Sequence, residues 1–327
     1  HHFWYVHGHL QEGLRWLDAA ISRAGESPVS RALLVDTLIA AAWLAQAQSD
    51  YERTIDLANR SVSLAREEGE PKRLANALAR LAAFHTYSGH YHEARVLLEE
   101  AIPLLRDSGA SEDLARLLNN LAGVTMQLGT LDASLKIYRE ALSIYRGLNS
   151  TWHVALELSG IAHVLSRQGE YEQAAAACDE SLAVAEVIDN NGYVTAIVRN
   201  CQGDIARYKG NHEGARDFYR MSLEASGKIH SHYMMGLNLK GLACLSAQEG
   251  EPGRAAVLFG ALEALLEKKS GALLLRVDVP EYERVLAGVR AALDEATFDR
   301  AWAEGRELDV ARVIDWLEEG SHAAERR

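Results

Sequence analysis

Leu118-Asn119-Asn120-Leu121-Ala122-Gly123-Val124-Thr125-Met126-Gln127-Leu128-Gly129-Thr130-Leu131-Asp132-Ala133-Ser134-Leu135-Lys136-Ile137-Tyr138-Arg139-Glu140-Ala141-Leu142 is the clearest copy of a unit that this chain repeats along its length. Apolar residues recur at helical spacing on both sides of Gly129, and glycine is the residue most free to turn the backbone between two antiparallel helices. The stretch predicts a helical hairpin. With its glycine as a marker, equivalent positions fall at Gly8, Ser49, Gly89, Gly129, Gly169, Gly210 and Gly250, at intervals of 41, 40, 40, 40, 41 and 40 residues. A period held over seven units is the signature of a repeat array, in which each hairpin buries its apolar face against its neighbours.

Two further positions keep the same register. Five residues after the marker stand Gly13, Thr54, Ala94, Ser134, Ala174, Ala215 and Ala255; twelve after it stand Ala20, Ser61, Ala101, Ala141, Ser181 and Ser222, with Leu262 as an exception. Small side chains there let adjacent helices approach closely. About twenty residues after each marker a second turn is punctuated by Gly69, Gly109, Asn149, Asn190, Gly227 and Gly271, residue types that tolerate the left-handed conformation closing a helix. Pro71, Ser111, Ser150 and Ser231 follow, suited to opening the next helix as caps or first-turn residues.

The composition agrees with an all-α chain. Of 327 residues 48% are hydrophobic and only 5 are proline, and no segment reads as a linker or low-complexity tract. No apolar run approaches the ~18–20 residues of a membrane span, and the start lacks the pattern of a signal peptide, so the expected location is the cytoplasm with no membrane partner. Cys178, Cys201 and Cys244 are widely spaced with no C-x-x-C pair, which predicts buried, reduced thiols. A net charge of −12 argues against direct binding of nucleic acid by this chain.

The residues that carry a family resemblance are Leu121-Ala122, Gly129, Tyr138 and Ala141-Leu142, with Leu81-Ala82, Gly89, Tyr91, Ala94 and Ala101 and with Ile161-Ala162, Gly169, Tyr171 and Ala174 in neighbouring units. They resemble the tetratricopeptide repeat, here with a 40-residue period similar to the longer-helix variant of kinesin light chains and bacterial regulators. The resemblance implies a right-handed α-α superhelix of about seven hairpins over residues 1–271, the first of them truncated, followed by capping helices over residues 272–327. The segments Gly8–Leu17, Gly250–Leu265 and Pro280–Leu308, with a last helix near Val310–Glu319, are similar to the sensor region at the C-terminus of large bacterial signal-responsive transcription regulators. In those proteins a DNA-binding or other effector domain and a nucleotide-binding switch ATPase precede the repeats. The chain opens inside a hairpin at Phe3, Trp4 and Leu10, so upstream ATPase and DNA-binding domains of the same polypeptide are expected.

Neither a phosphate-binding loop, a G-x-G-x-x-G or G-x-S-x-G motif nor an H-E-x-x-H motif occurs, and catalysis, metal and cofactor are not expected of this chain. The pairs His7/His9, His90/His92 and His230/His232 sit at turns and read as solvated histidines. The resemblance implies instead that the first helix of each hairpin lines a concave groove. It places Trp43 there, then Asn76, Arg80 and Tyr87, then Arg116, Asn119, Asn120 and Gln127, and finally His163, Arg167, Asn200, Asp204, Arg207, Tyr208 and Lys240. Asn120 matches the asparagine that holds a ligand backbone in peptide-binding repeats, and Arg80 could pair with a carboxylate. The equivalent positions Ala40, Gly160, Cys201 and Gly241 do not sustain that clamp. The expectation is a groove for a protein or peptide partner or a small effector, with a stand-alone peptide-binding scaffold as the alternative.

Overall fold

The computed structural model describes residues 9–24, 30–48, 50–106, 111–188, 192–268, 278–308, 312–314 and 316. Among them every regular element is a helix, and the contacts divide the chain into two units, His1–Ile144 and Tyr145–Arg327. Gly8, Ser49, Gly109, Asn190 and Gly271 lie outside the described residues, as do Phe3 and Trp4.

Unit 1 holds α1 (Leu10–Ala24), α2 (Arg31–Ala47), α3 (Tyr51–Glu68), α4 (Pro71–Tyr87), α5 (Tyr91–Arg106), α6 (Ser111–Gln127) and the start of α7 (Leu131–Gly147). Helices α2/α3 and α4/α5 pack as antiparallel hairpins, while α2 touches α4 and α4 touches α6, so first helices form a row of their own. Unit 2 repeats this with α8 (Thr151–Gln168), α9 (Tyr171–Ala185), α10 (Gly192–Tyr208), α11 (His212–Lys228), α12 (His232–Gln248) and α13 (Pro252–Lys268). Its row runs α8, α10, α12 and is continued by α14 (Val279–Ala292), while α15 (Glu295–Arg306) packs on α13. Of the expected last helix, Arg312–Ile314 and Trp316 are described and helical.

The turns explain the period. Gly89, Gly129, Gly169, Gly210 and Gly250 all take φ of 76–81°, and the amide of the next residue reaches five residues back, as Asn211 does to Ala206 at 2.9 Å. This closes each helix on its orphan carbonyls. At the second turns Gly69 and Asn149 adopt the left-handed conformation as expected, but Gly227 does not: α11 continues through it to Lys228 and His230 takes φ 52° instead. The closing bond, Ser231 N–H to Ser226 C=O at 3.0 Å, fixes the left-handed position immediately before Ser231, and histidine is among the residues that tolerate it.

At the small positions, Thr54, Ser61, Ala94, Ala101, Ser134, Ala141, Ala174, Ser181, Ala215, Ser222 and Ala255 are fully buried, as is Leu262; Ala20 on α1 is exposed. Three of the serines also donate across the interface, Ser134 to the Ala122 carbonyl at 2.8 Å, Ser181 to Ala155 at 2.7 Å and Ser222 to Ala196 at 2.6 Å. Each satisfies its own buried hydroxyl while keeping the helices close. Helix α5 runs unbroken to Arg106 with Pro103 inside it. The three cysteines are buried and free. Among the described residues no helix is long and apolar enough to cross a membrane.

Candidate functional site

The row of first helices in unit 2 carries a buried ionic cluster. Arg167 comes from α8, Asp204 and Arg207 from α10, Lys240 from α12, and the closing carboxylates Asp278 and Glu281 from the start of α14. Arg207 meets Glu281 end-on, Nη1 to Oε1 at 3.0 Å and Nη2 to Oε2 at 3.2 Å. Arg167 Nη2 donates to both oxygens of Asp278 at 3.0 and 3.1 Å, and Lys240 Nζ lies 3.5 Å from Asp278 and 3.6 Å from Glu281. Three cations thus face three carboxylates. The Arg207 side chain is fully enclosed and that of Lys240 nearly so, conditions under which a cation needs both a counter-charge and hydrogen bonds.

Packing explains how Arg207 is held. Tyr219 on α11 is fully buried, donates its hydroxyl to Asp204 Oδ1 at 2.6 Å and accepts from Arg207 Nε at 3.3 Å. Its ring fits only because Gly203 and Gly241 face it: a Cβ on either would lie 2.6 or 2.5 Å from ring carbons. Tyr208 covers the outer side, with the guanidinium carbon of Arg207 4.4 Å from its ring centre and its hydroxyl 3.3 Å from Glu281.

The charges respond to this enclosure. Burial alone would lower the pKa values of Lys240, Arg167 and Arg207, but the surrounding carboxylates, Asp278 foremost for Lys240 and Arg167, hold all three above their ordinary range, for Arg207 together with the Tyr219 hydroxyl. Burial likewise pushes the Asp204 carboxyl up, yet Lys240, Arg207, Arg167 and Tyr219 together keep it below its usual value. Burial drives Tyr208 up to about 12.

Unit 1 presents a different arrangement on its own row. Arg80 on α4 has a buried Nε with no hydrogen-bond partner, and Nη1 makes one long contact, 3.4 Å, with Gln46 Oε1 on α2. Among the described residues no carboxylate pairs with it. Burial, with the nearby charge of Arg116, lowers its pKa to about 10. Arg116 on α6 donates to Asn76 Oδ1 at 3.0 Å and to Asp113 at 3.2 Å, and Asp113 is also held by Lys72 at 2.9 Å.

The fifteen expected groove residues therefore separate into two groups. In unit 1, Asn76, Arg80 and Arg116 share one face, Asn120 occupies in α6 the place that Arg80 has in α4, Tyr87 is exposed, Asn119 and Trp43 are half-buried, and Gln127 is buried; Trp43 packs against the apolar core. In unit 2, Arg167, Asp204, Arg207, Tyr208 and Lys240 converge on α14. Asn200 turns into the helix packing, donating to Asn238 at 2.8 Å while Asn238 donates to Ser222 at 2.9 Å, and buried His163 bonds the Ser159 carbonyl of its own helix at 3.1 Å. Sequence reasoning missed Tyr219, Asn238, Asp278 and Glu281. Tyr219, nine residues after Gly210 as Tyr138 is after Gly129, was visible; nothing in the sequence tells where Asp278 and Glu281 dock.

Family models described as tetratricopeptide repeat match residues 74–106 and 114–151, and a second match covers residues 154–228. These segments are tetratricopeptide repeats. Proteins named provisionally as HTH-type transcriptional regulators in Mycobacterium tuberculosis and Mycobacterium bovis are 26% identical over 130 residues, 40% of this chain. The match spans 15% of those relatives' own length. Among solved structures, the apo form of RapI superposes with a TM-score of 0.65 at 14% identity, covering 89% of this chain and 94% of that one. The apo quorum sensor NprR of B. thuringiensis gives 0.60 at 16% identity, covering 96% and 98%. At these identities the likeness extends to the fold: an all-α array of tetratricopeptide hairpins.

Proposed function

We propose that this chain is the non-enzymatic sensor and interaction region of a multidomain transcription regulator, taking a peptide or protein partner or a small effector on its row of first helices. The observation that carries the reading is the contrast between the units. In unit 2 the chain's own α14 neutralises the cations of the row, whereas in unit 1 Arg80, Asn76 and Arg116 lie on the row with Arg80 unneutralised. Binding to such a row acts by population shift, since a ligand that prefers one packing of adjacent hairpins moves the array toward it. The relatives named as HTH-type regulators and the fold shared with a quorum sensor support a sensing role, with a switch ATPase and a DNA-binding domain elsewhere in the polypeptide.

A thermal-shift screen of the chain against metabolites, oligosaccharides and short peptides tests this, repeated with Arg80→Ala and Asn120→Ala. A ligand present at 100 times its dissociation constant adds about 2.7 kcal/mol of stability. Loss of the shift in the variants places the ligand on unit 1; an equal shift in both variants overturns the placement. Coding sequence on the N-terminal side of His1 that lacks a phosphate-binding loop would sink the regulator context.

A further inference from the structure

We propose that Cys178 and Cys201 form a reversible disulfide that ties two successive hairpins of unit 2 together when the protein meets a hydroperoxide, a redox lock separate from any ligand taken on the first-helix row. The repeat register points to the pair. Cys178 stands nine residues after the Gly169 turn and Cys201 nine residues before the Gly210 turn, the places that Tyr219 and Gly241 hold one hairpin further on. Those two meet face to face, since a Cβ on Gly241 would lie 2.5 Å from the Tyr219 ring. At the junction of α9 with α10 the same two places carry a pair of small side chains where a ring meets a glycine in the next hairpin. Helices α9 and α10 pack directly, both cysteines are fully buried and free, and their thiols are hydrogen-bonded to each other. Sulfurs facing each other in contact are the starting geometry from which a disulfide closes. The third thiol, Cys244 on α12, is instead under the charges of Arg207, Lys240, Glu281 and Asp204.

With hydrogen peroxide as oxidant the chemistry balances. One sulfur attacks a peroxide oxygen, the O–O bond breaks, and the departing hydroxide leaves as water with the thiol proton, giving a sulfenic acid. The second sulfur displaces that hydroxyl, which takes the second thiol proton and leaves as water, and the S–S bond forms. Each sulfur gives up one electron and the two peroxide oxygens receive them. The hydrogen bond to Cys178, together with burial, pushes the Cys201 thiol up, so the pair is inert while the junction is closed and is oxidised when α9 and α10 part. Once formed, the bond joins the second helix of one hairpin to the first helix of the next. It holds α10, which carries Asp204 and Arg207, against α9 without using the charges of the ionic cluster.

The whole chain, fully reduced, is treated with hydrogen peroxide, alkylated in denaturant and mapped by mass spectrometry, for the wild type, Cys178→Ala, Cys201→Ala and Cys244→Ala. The wild type and Cys244→Ala should each lose two alkylatable thiols and yield a peptide pair linked through residues 178 and 201, released by dithiothreitol; the other two variants should yield none. The link closes a loop of 24 residues, and a cross-link of that span raises the melting temperature of unit 2 by roughly 5 °C or more, a rise that dithiothreitol abolishes. Urea well short of the unfolding transition should speed the linkage several-fold. The wild-type map decides the matter even where a cysteine variant fails to fold. Full alkylation of both peptides after peroxide, separate sulfinic or sulfonic acids on each, or a link from Cys178 to a second chain overturns the proposal. A linked chain that melts no higher than the reduced one refutes the lock, and linkage unaffected by urea refutes its dependence on opening.

Discussion

Replacing Glu281 by glutamine keeps the shape of the side chain and removes the charge shared by Arg207 and Lys240. At 3.0 Å and an effective dielectric near 20, the Arg207–Glu281 attraction is on the order of 5 kcal/mol before desolvation. Removing one partner of a buried pair typically costs about 3–5 kcal/mol, because the other charge stays enclosed. Glutamine still accepts one hydrogen bond and Glu281 retains some exposure, so the expected loss is about 2–4 kcal/mol. Unit 2 has about 180 residues, and an unfolding entropy of about 2 cal/mol/K per residue converts that loss into a fall of roughly 5–10 °C in its melting temperature. Scanning calorimetry of wild type, Glu281→Gln, Arg207→Met and the double variant reads both the loss and its coupling. The double variant should be less destabilised than the two singles added together by at least about 1 kcal/mol. A drop of under about 2 °C, or strict additivity, would refute the view that α14 is held by this charge pair.

Three further outcomes follow from the same geometry. Tyr219→Phe removes the hydroxyl that serves Asp204 and Arg207 while leaving the ring between its glycines, and should cost about 1–3 kcal/mol in urea unfolding. Gly305→Ala should loosen α15 from α13 by about 1–3 kcal/mol or more, because a methyl there runs into the Val257 carbonyl; Gly253→Ala, where nothing lies within 4 Å, is the control. Because the Asp204 pKa is depressed in the fold, its stabilisation is present above the unfolded value near 3.9 and is lost as pH falls through the folded one. The stability gap between wild type and Asp204→Asn should therefore stay level from about pH 6 to pH 4 and narrow below it; a gap that narrows above pH 5 contradicts the assignment.

How far the sequence could be read depended on whether a signal was local. Gly129 and its equivalents need a left-handed backbone, a demand set within six residues, so the turns and their period were legible. So were the small positions, where Ser134 or Ser222 has to fit within the thickness of a helix contact. His230 was missed because a histidine carries no such demand visibly; it was placed by the bond that closes α11 three residues later than Gly227 would have allowed. The candidate site was legible in kind and not in pairing. Counting back from each glycine found Arg80, Arg167, Arg207 and Lys240 on the row. The partners of the last three come from Asp278 and Glu281, up to 111 residues away beyond the end of the period, where no repeat rule applies. Asn200 shows the complementary limit: its position is on the row, but a partner at Asn238 draws it inward.

Tyr219 has a mechanical consequence. Its ring is keyed between a gap on α10 and a gap on α12, and its hydroxyl is pinned to α10 through Asp204. Sliding either helix along the other by a fraction of a turn would bring a neighbouring side chain into the keyway, so these three helices are locked in axial register. Where a helix contact is made by alanine and serine, as at Ala174 and Ser181, the surface is smoother, and small sliding displacements there meet less resistance. Compliance along the chain is therefore uneven. Around Tyr219 a deformation can pass through as rigid rotation but cannot be absorbed as shear.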